Sequence, residues 1–187
     1  MRYWKPFTKD VAQAAEAWGA TDAILLPLYP QFSTTTTASS LGEWRKSSNL
    51  PTSTICCYPA GAQFAQAHAD AILKTWRDAG SPERPRLLFS AHGLPQSVVD
   101  RGDPYQWQVE QSVAAVWKLL PSDWEYRICY QSRVGPMKWI GPSTEEEIHR
   151  AAADGVGLIV SPIAFVSEHV ETLVELDSAS GEAGLAV

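Results

Sequence analysis

The sequence predicts an α/β protein built on doubly wound parallel sheets. Two observations predict it. Short, nearly uninterrupted apolar runs recur around residues 23–29, 54–58, 86–91, 126–130 and 157–161, and such runs suit parallel strands covered on both faces. Between them lie amphipathic stretches with readable helix ends, and strands alternating with helices imply right-handed βαβ units.

Taken in order, the first helix starts near Thr8, which is placed to cap it, carries Val11, Ala15 and Trp18 on one face, and closes at Gly19. Ala23 to Tyr29 reads as a buried strand, and Thr54-Ile55-Cys56-Cys57-Tyr58 as a second, stopped by Pro59. The pleat of that strand sends Cys56 and Cys57 to opposite faces, which predicts no shared metal. Phe64, His68, Ile72 and Trp76 recur every four residues as a helix that Gly80 and Pro82 end. Arg86 to Ala91 forms the third strand. Asp103 then places a cap before Pro104 at the first helical position, and Val109, Val113, Val116 and Leu120 make the apolar stripe. Tyr126 to Tyr130 is the fourth strand. Thr144 with Glu147 fits a capping box for a helix ending near Gly155, and Gly157 to Ser161 is the fifth strand.

Ser81-Pro82-Glu83-Arg84-Pro85 reads as a linker and places a boundary near residue 82. The stretch before it holds about two strands, too few for a complete sheet. Ser178 to Val187 is small-residue and patternless. The expected division is therefore a partial first domain at residues 1–82, a second domain at 83–177 and an atypical tail at 178–187.

Composition excludes several classes. At 187 residues, 45% apolar and 19% charged, the chain is an ordinary globular protein, neither disordered nor fibrous. The net charge of -6, with no basic block, disfavours nucleic acid, whose phosphates require clustered Lys and Arg. No apolar run is long enough to span a membrane, and the polar stretch after Met1 is not a secretory signal. Three cysteines, two of them adjacent, make no disulfide framework and fit a reducing cytoplasm. Eight tryptophans imply well-filled cores or an aromatic cleft. The chain contains no GxSxG, P-loop or GxGxxG, which argues against hydrolase, NTPase and dinucleotide-binding functions.

Open α/β sheets bind ligands beyond the carboxyl ends of their strands. The third strand ends in Ser90-Ala91-His92-Gly93-Leu94-Pro95, and the fifth leads into Glu168-His169-Val170-Glu171. Two of the four histidines, with carboxylates, thus converge on the predicted crevice. Imidazole and carboxylate suit divalent first-row metals and proton transfer near neutrality. From residues alone His92 serves either that chemistry or a turn, and His169 either that chemistry or a helix N-terminus. His68 reads as a half-buried helix residue and His149 as a surface one.

Leu88-Phe89-Ser90-Ala91-His92-Gly93-Leu94-Pro95 resembles the catalytic-histidine motif of the ferrochelatases. Tyr130-Gln131-Ser132-Arg133-Val134-Gly135-Pro136 with Trp139 is similar to that family's second signature, and Pro162 to Asp177 to its third. Arg2-Tyr3-Trp4, Leu26 to Ser33 and Ser39-Ser40-Leu41 fit as well, so the likeness spans residues 1–177.

The resemblance implies two Rossmann-like domains of chelatase type, the first one partial here, around a porphyrin cleft. It implies a lyase-type metal chelatase of haem biosynthesis that inserts Fe²⁺ into protoporphyrin IX. It assigns catalysis to His92, His169 and Glu171, substrate contact to Arg2, Tyr3, Ser132 and Trp139, and metal handling to His92, Glu171 and Glu175. Fe²⁺ is then a substrate, no prosthetic group is needed, and Thr34 stands where some members place a cluster cysteine, so no iron–sulfur cluster is expected. A cytoplasmic protein with peripheral membrane contact follows from so apolar a substrate. The readings set against this one are a cobalt or sirohydrochlorin chelatase and a non-catalytic porphyrin-binding remnant.

Overall fold

The computed structural model describes residues 5–167. The chain falls into two compact units divided between Tyr58 and Pro59.

The first unit contains helix α1 (Thr8–Trp18), strand β1 (Ala23–Leu25), helix α2 (Thr37–Ser47) and strand β2 (Thr52–Thr54). Gly19 closes α1 in the left-handed conformation at φ 93°, as its position predicts. Thr8 is the first helical residue and not the cap; Phe7 occupies the cap without a side-chain bond. β1 and β2 pair in parallel, Ile24 opposite Ser53. Both are shorter and wetter than the apolar runs suggest. Pro27 has no N–H to offer a ladder, so β1 stops at Leu25, and Ile24 is 70% exposed with Leu26 and Leu28 also exposed. β2 lies ahead of the predicted run, on Thr52–Thr54, and is exposed throughout.

The second unit holds the main core. Helix α3 (Ala62–Asp78) leads to β3 (Arg86–His92), then the short α4 (Gln96–Asp100), α5 (Tyr105–Trp117), β4 (Glu125–Gln131), α6 (Thr144–Asp154) and β5 (Leu158–Pro162). The three strands are parallel in the order β4-β3-β5. β3 is central and buried along nearly its whole length, which explains its continuous apolar sequence. Its side chains alternate between two layers. Leu87, Phe89 and Ala91 join Ala65, Ala69, Ile72, Val109, Val113 and Val116 of α3 and α5, whereas Leu88 packs with Cys129 and Ile148 beneath α6. Helices on both faces give the doubly wound architecture that the pattern predicts.

The predicted linker at Ser81–Pro85 lies inside this unit, because α3 packs its Ala65, Ala69 and Ile72 face into the core. The division at residue 82 therefore does not coincide with the compact units. Asp103 Oδ1 accepts the Tyr105 N–H at 3.0 Å at the start of α5, but the cap position itself falls on Pro104, one residue later than expected. The tryptophans are less buried than their number suggests: Trp124 is in the core, whereas Trp18 and Trp107 are exposed. Among the described residues no helix is long and apolar enough to cross a membrane.

Phe89 is wholly buried in the larger core. Phe89→Ala is expected to cost about 3–5 kcal/mol, and Ile24→Ala, at an exposed site, no more than about 0.5 kcal/mol. Urea unfolding of the two variants measures the difference.

Candidate active site at the exit of β3

The order β4-β3-β5 sets a switch point. The chain leaves β3 for β4 on one side and then crosses to β5 on the other, and ligand crevices form outside the strand ends at such reversals. The register pairs His92 at the end of β3 with Gln131 on β4, and Ser90 with Pro162 on β5. The strand-end segments singled out in the sequence therefore leave the sheet side by side.

Backbone bonds fasten two of these segments together. The Gly93 N–H donates to the Gln131 carbonyl at 2.9 Å, Gln96 N–H to Lys138 at 2.8 Å, and Ile140 N–H to Leu94 at 3.0 Å. Gly93 is buried in this seam, and a Cβ there would lie 3.0 Å from the Gln131 carbonyl oxygen and 3.3 Å from Cε3 of Trp139. A side chain there would need the seam to give by a few tenths of an ångström. The same packing lays the Trp139 ring against the His92–Gly93 turn, and Trp139 Nε1 donates to the Val134 carbonyl at 3.1 Å to hold it there.

His92 is half-buried, with Nδ1 2.8 Å from the Gly93 carbonyl oxygen. A carbonyl only accepts, so Nδ1 carries the proton and the basic nitrogen of the neutral ring is Nε2.

Under the turn, on the α6 side, lies a buried polar layer. Ser90 Oγ donates to Gln131 Oε1 at 2.7 Å and lies 2.8 Å from Thr144 Oγ1. Thr144 Oγ1 donates to Cys129 Sγ at 3.4 Å. Glu147 is fully buried, with its carboxylate 3.1 Å from the Arg150 guanidinium. Burial, with the charge of Glu147 adding to it, pushes the Cys129 thiol up to about 12. A thiol so held stays protonated and is no nucleophile.

On the other face α3 and β5 border a cavity of about 440 Å³ lined by Phe64, His68, Ile72, Ser161 and Phe165 among others. His68 Nδ1 lies 3.3 Å from Ser161 Oγ. Burial lowers the pKa of His68, against an opposing hydrogen bond to the Phe165 backbone. His68 thus ties α3 to the segment leaving β5, and is the half-buried helix residue its spacing predicts. His149 is exposed, 3.9 Å from Glu145.

A family model for ferrochelatase matches residues 1–185. The chain belongs to the ferrochelatase family. Ferrochelatases of Hyphomonas neptunium and Phenylobacterium zucineum are each 58% identical to it, over 94% and 95% of this chain but 49% and 52% of their own lengths. That of Wolbachia pipientis wMel is 49% identical over 95% of this chain and 58% of its own. The chain spans about half the length of the curated ferrochelatases it matches. The family match runs to residue 185, past Asp177, where the likeness was expected to lapse.

Of the residues that the ferrochelatase motifs predict for the site, Trp139 lies against Gly93, the residue that follows His92. Ser132 follows Gln131 directly, at φ 63°. Arg2, Tyr3, His169, Glu171 and Glu175 lie outside the described residues. Among the described residues no group of three or more His, Cys, Asp or Glu side chains is placed to hold a metal. Beyond the motif-assigned residues, the structure adds Gln131 as a buried partner of Ser90, Arg133 beside Gly93, and buried Thr144 and Glu147. Strand parity held the signal for Gln131, which shares a face with Cys129.

Gly93→Ala is expected to cost about 1–3 kcal/mol by overpacking and to loosen the Trp139 ring. Thermal melting with Trp fluorescence checks both, and an unchanged melt would show that the seam gives way freely.

Proposed function

We propose that this chain carries out, within a ferrochelatase, the insertion of Fe²⁺ into protoporphyrin IX. The observation that carries the reading is the His92 turn at the switch point, with a basic Nε2 and the Trp139 ring held beside it. The relatives' shared name favours iron and protoporphyrin over the cobalt and sirohydrochlorin alternatives and over a non-catalytic remnant.

The chemistry asks for few things. Free porphyrin carries two pyrrole N–H protons that leave as the metal, itself a substrate, enters. His92 Nε2 accepts the first, while the Nδ1–H bond to Gly93 holds the ring in place. Trp139 supplies a flat apolar wall against the macrocycle. In this reading Ser132, Arg2 and Tyr3 contact the substrate, while His169, Glu171 and Glu175 deliver the metal and carry protons toward solvent. Glu171 takes part in both catalysis and metal handling. No prosthetic group is assigned, and Thr34 supports leaving out an iron–sulfur cluster. A cytoplasmic setting with peripheral membrane contact suits the solubility of the substrate.

His92→Ala is expected to lower metal insertion at least about a hundredfold, the scale of a lost general base, with porphyrin affinity within about tenfold. Zinc insertion into protoporphyrin, followed by absorbance in a polypeptide spanning the full length of the relatives, measures it. Near-normal turnover would remove His92 from the chemistry.

A further inference from the structure

Cys56 and Cys57 are not separated by a strand pleat. β2 ends at Thr54, so both cysteines lie beyond the ladder, and their Sγ atoms are 3.1 Å apart. Cys56 is exposed and Cys57 half-buried. We propose that this pair is a vicinal dithiol site that captures soft trivalent centres of pyramidal geometry, such as monosubstituted trivalent arsenicals.

The bite selects the ligand class. With metal–sulfur bonds of about 2.3 Å, a sulfur separation of 3.1 Å subtends about 85° at the bound atom. Tetrahedral zinc needs a wider angle, about 109°, and a linear two-coordinate ion cannot be spanned at all. A three-coordinate pyramidal centre bonds near right angles and fits without moving the backbone.

The competing fate, a disulfide, is disfavoured by geometry: neighbouring Cα atoms are about 3.8 Å apart, below the roughly 4.4 Å at which ordinary disulfides begin. Capture of an arsenical needs no oxidant. An organoarsenic(III) oxide, R–As=O, reacts with two S–H groups to form two As–S bonds; the oxygen leaves with both protons as water, and neither sulfur nor arsenic changes oxidation state.

The test uses phenylarsine oxide on the 187-residue chain, read by intact mass, thiol titration and peptide mapping. The expected result is one phenylarsenic bridge per chain on the peptide holding Cys56 and Cys57, with two titratable thiols lost. The bridge should resist glutathione roughly a hundredfold better than any adduct on Cys56→Ser or Cys57→Ser, because the second sulfur acts at high effective concentration. A dithiol should release it. An adduct mapped to Cys129, equal resistance in a serine variant, or no adduct on the wild-type chain would overturn the proposal. Mapping on the wild-type chain decides the matter even if a serine variant fails to fold.

Discussion

The turn leaving β3 is bonded to the loop leaving β4, and the candidate site is arranged around that seam. Three backbone hydrogen bonds, at Gly93, Gln96 and Ile140, join two segments that the sheet has already brought side by side. Each bond is worth about 1 kcal/mol net, but together they remove the freedom of two loops at once. The seam closes because residue 93 has no side chain: a Cβ would press on the Gln131 carbonyl and the Trp139 ring. His92 is therefore aimed by backbone, with its own ring bonded to the carbonyl of the glycine that closes the seam.

Below the seam, the sheet changes character along its length. The α6 face is apolar at Leu88 and polar at Ser90, where Gln131 and Thr144 meet. Burying such groups costs free energy unless they bond to one another; Ser90 Oγ donates to Gln131 Oε1 and meets Thr144 Oγ1, whereas Gln131 Nε2 is buried without a hydrogen-bond partner among the described residues. Glu147 is the costlier case, a carboxylate whose two oxygens are buried without a hydrogen bond among those residues, its charge offset by the Arg150 guanidinium 3.1 Å away one turn along. At the opposite end of β3, Arg86 joins Glu125 and Asp154 at 3.1 and 2.7 Å, fixing the strand starts and the end of α6. The sheet is thus pinned by charge where it begins and by hydrogen bonds where the crevice opens.

β3 was legible because burial on both faces leaves a continuous apolar run, β4 and β5 because their buried residues keep short apolar stretches although neither strand is buried throughout, and α3 because its stripe keeps a four-residue period. The first unit was not. Its apolar run at residues 23–29 is interrupted by Pro27, and pairing with a single short partner leaves Ile24 in solvent. Helix α2 escaped notice because it begins at the end of a threonine run, poor in helix formers. The capping box sits one residue early, on Ser143 and Glu146: the segment Ser143-Thr144-Glu145-Glu146-Glu147 permits either register, and burial of Thr144 and Glu147 against the sheet decides it. Of the site, the strand-end histidine and Trp139 could be placed from motifs; the polar layer beneath them depends on pairing register, which no single stretch of sequence records.

The Gly93 carbonyl fixes which nitrogen of His92 is basic. Long-range ¹H–¹⁵N correlation of the histidine rings, at alkaline pH where imidazoles are neutral, reads this directly, with His92 assigned by loss of its signals in His92→Gln. The expected spectrum shows a protonated Nδ1 and an unprotonated, pyridine-like Nε2. A His92 ring carrying its proton on Nε2 would contradict it.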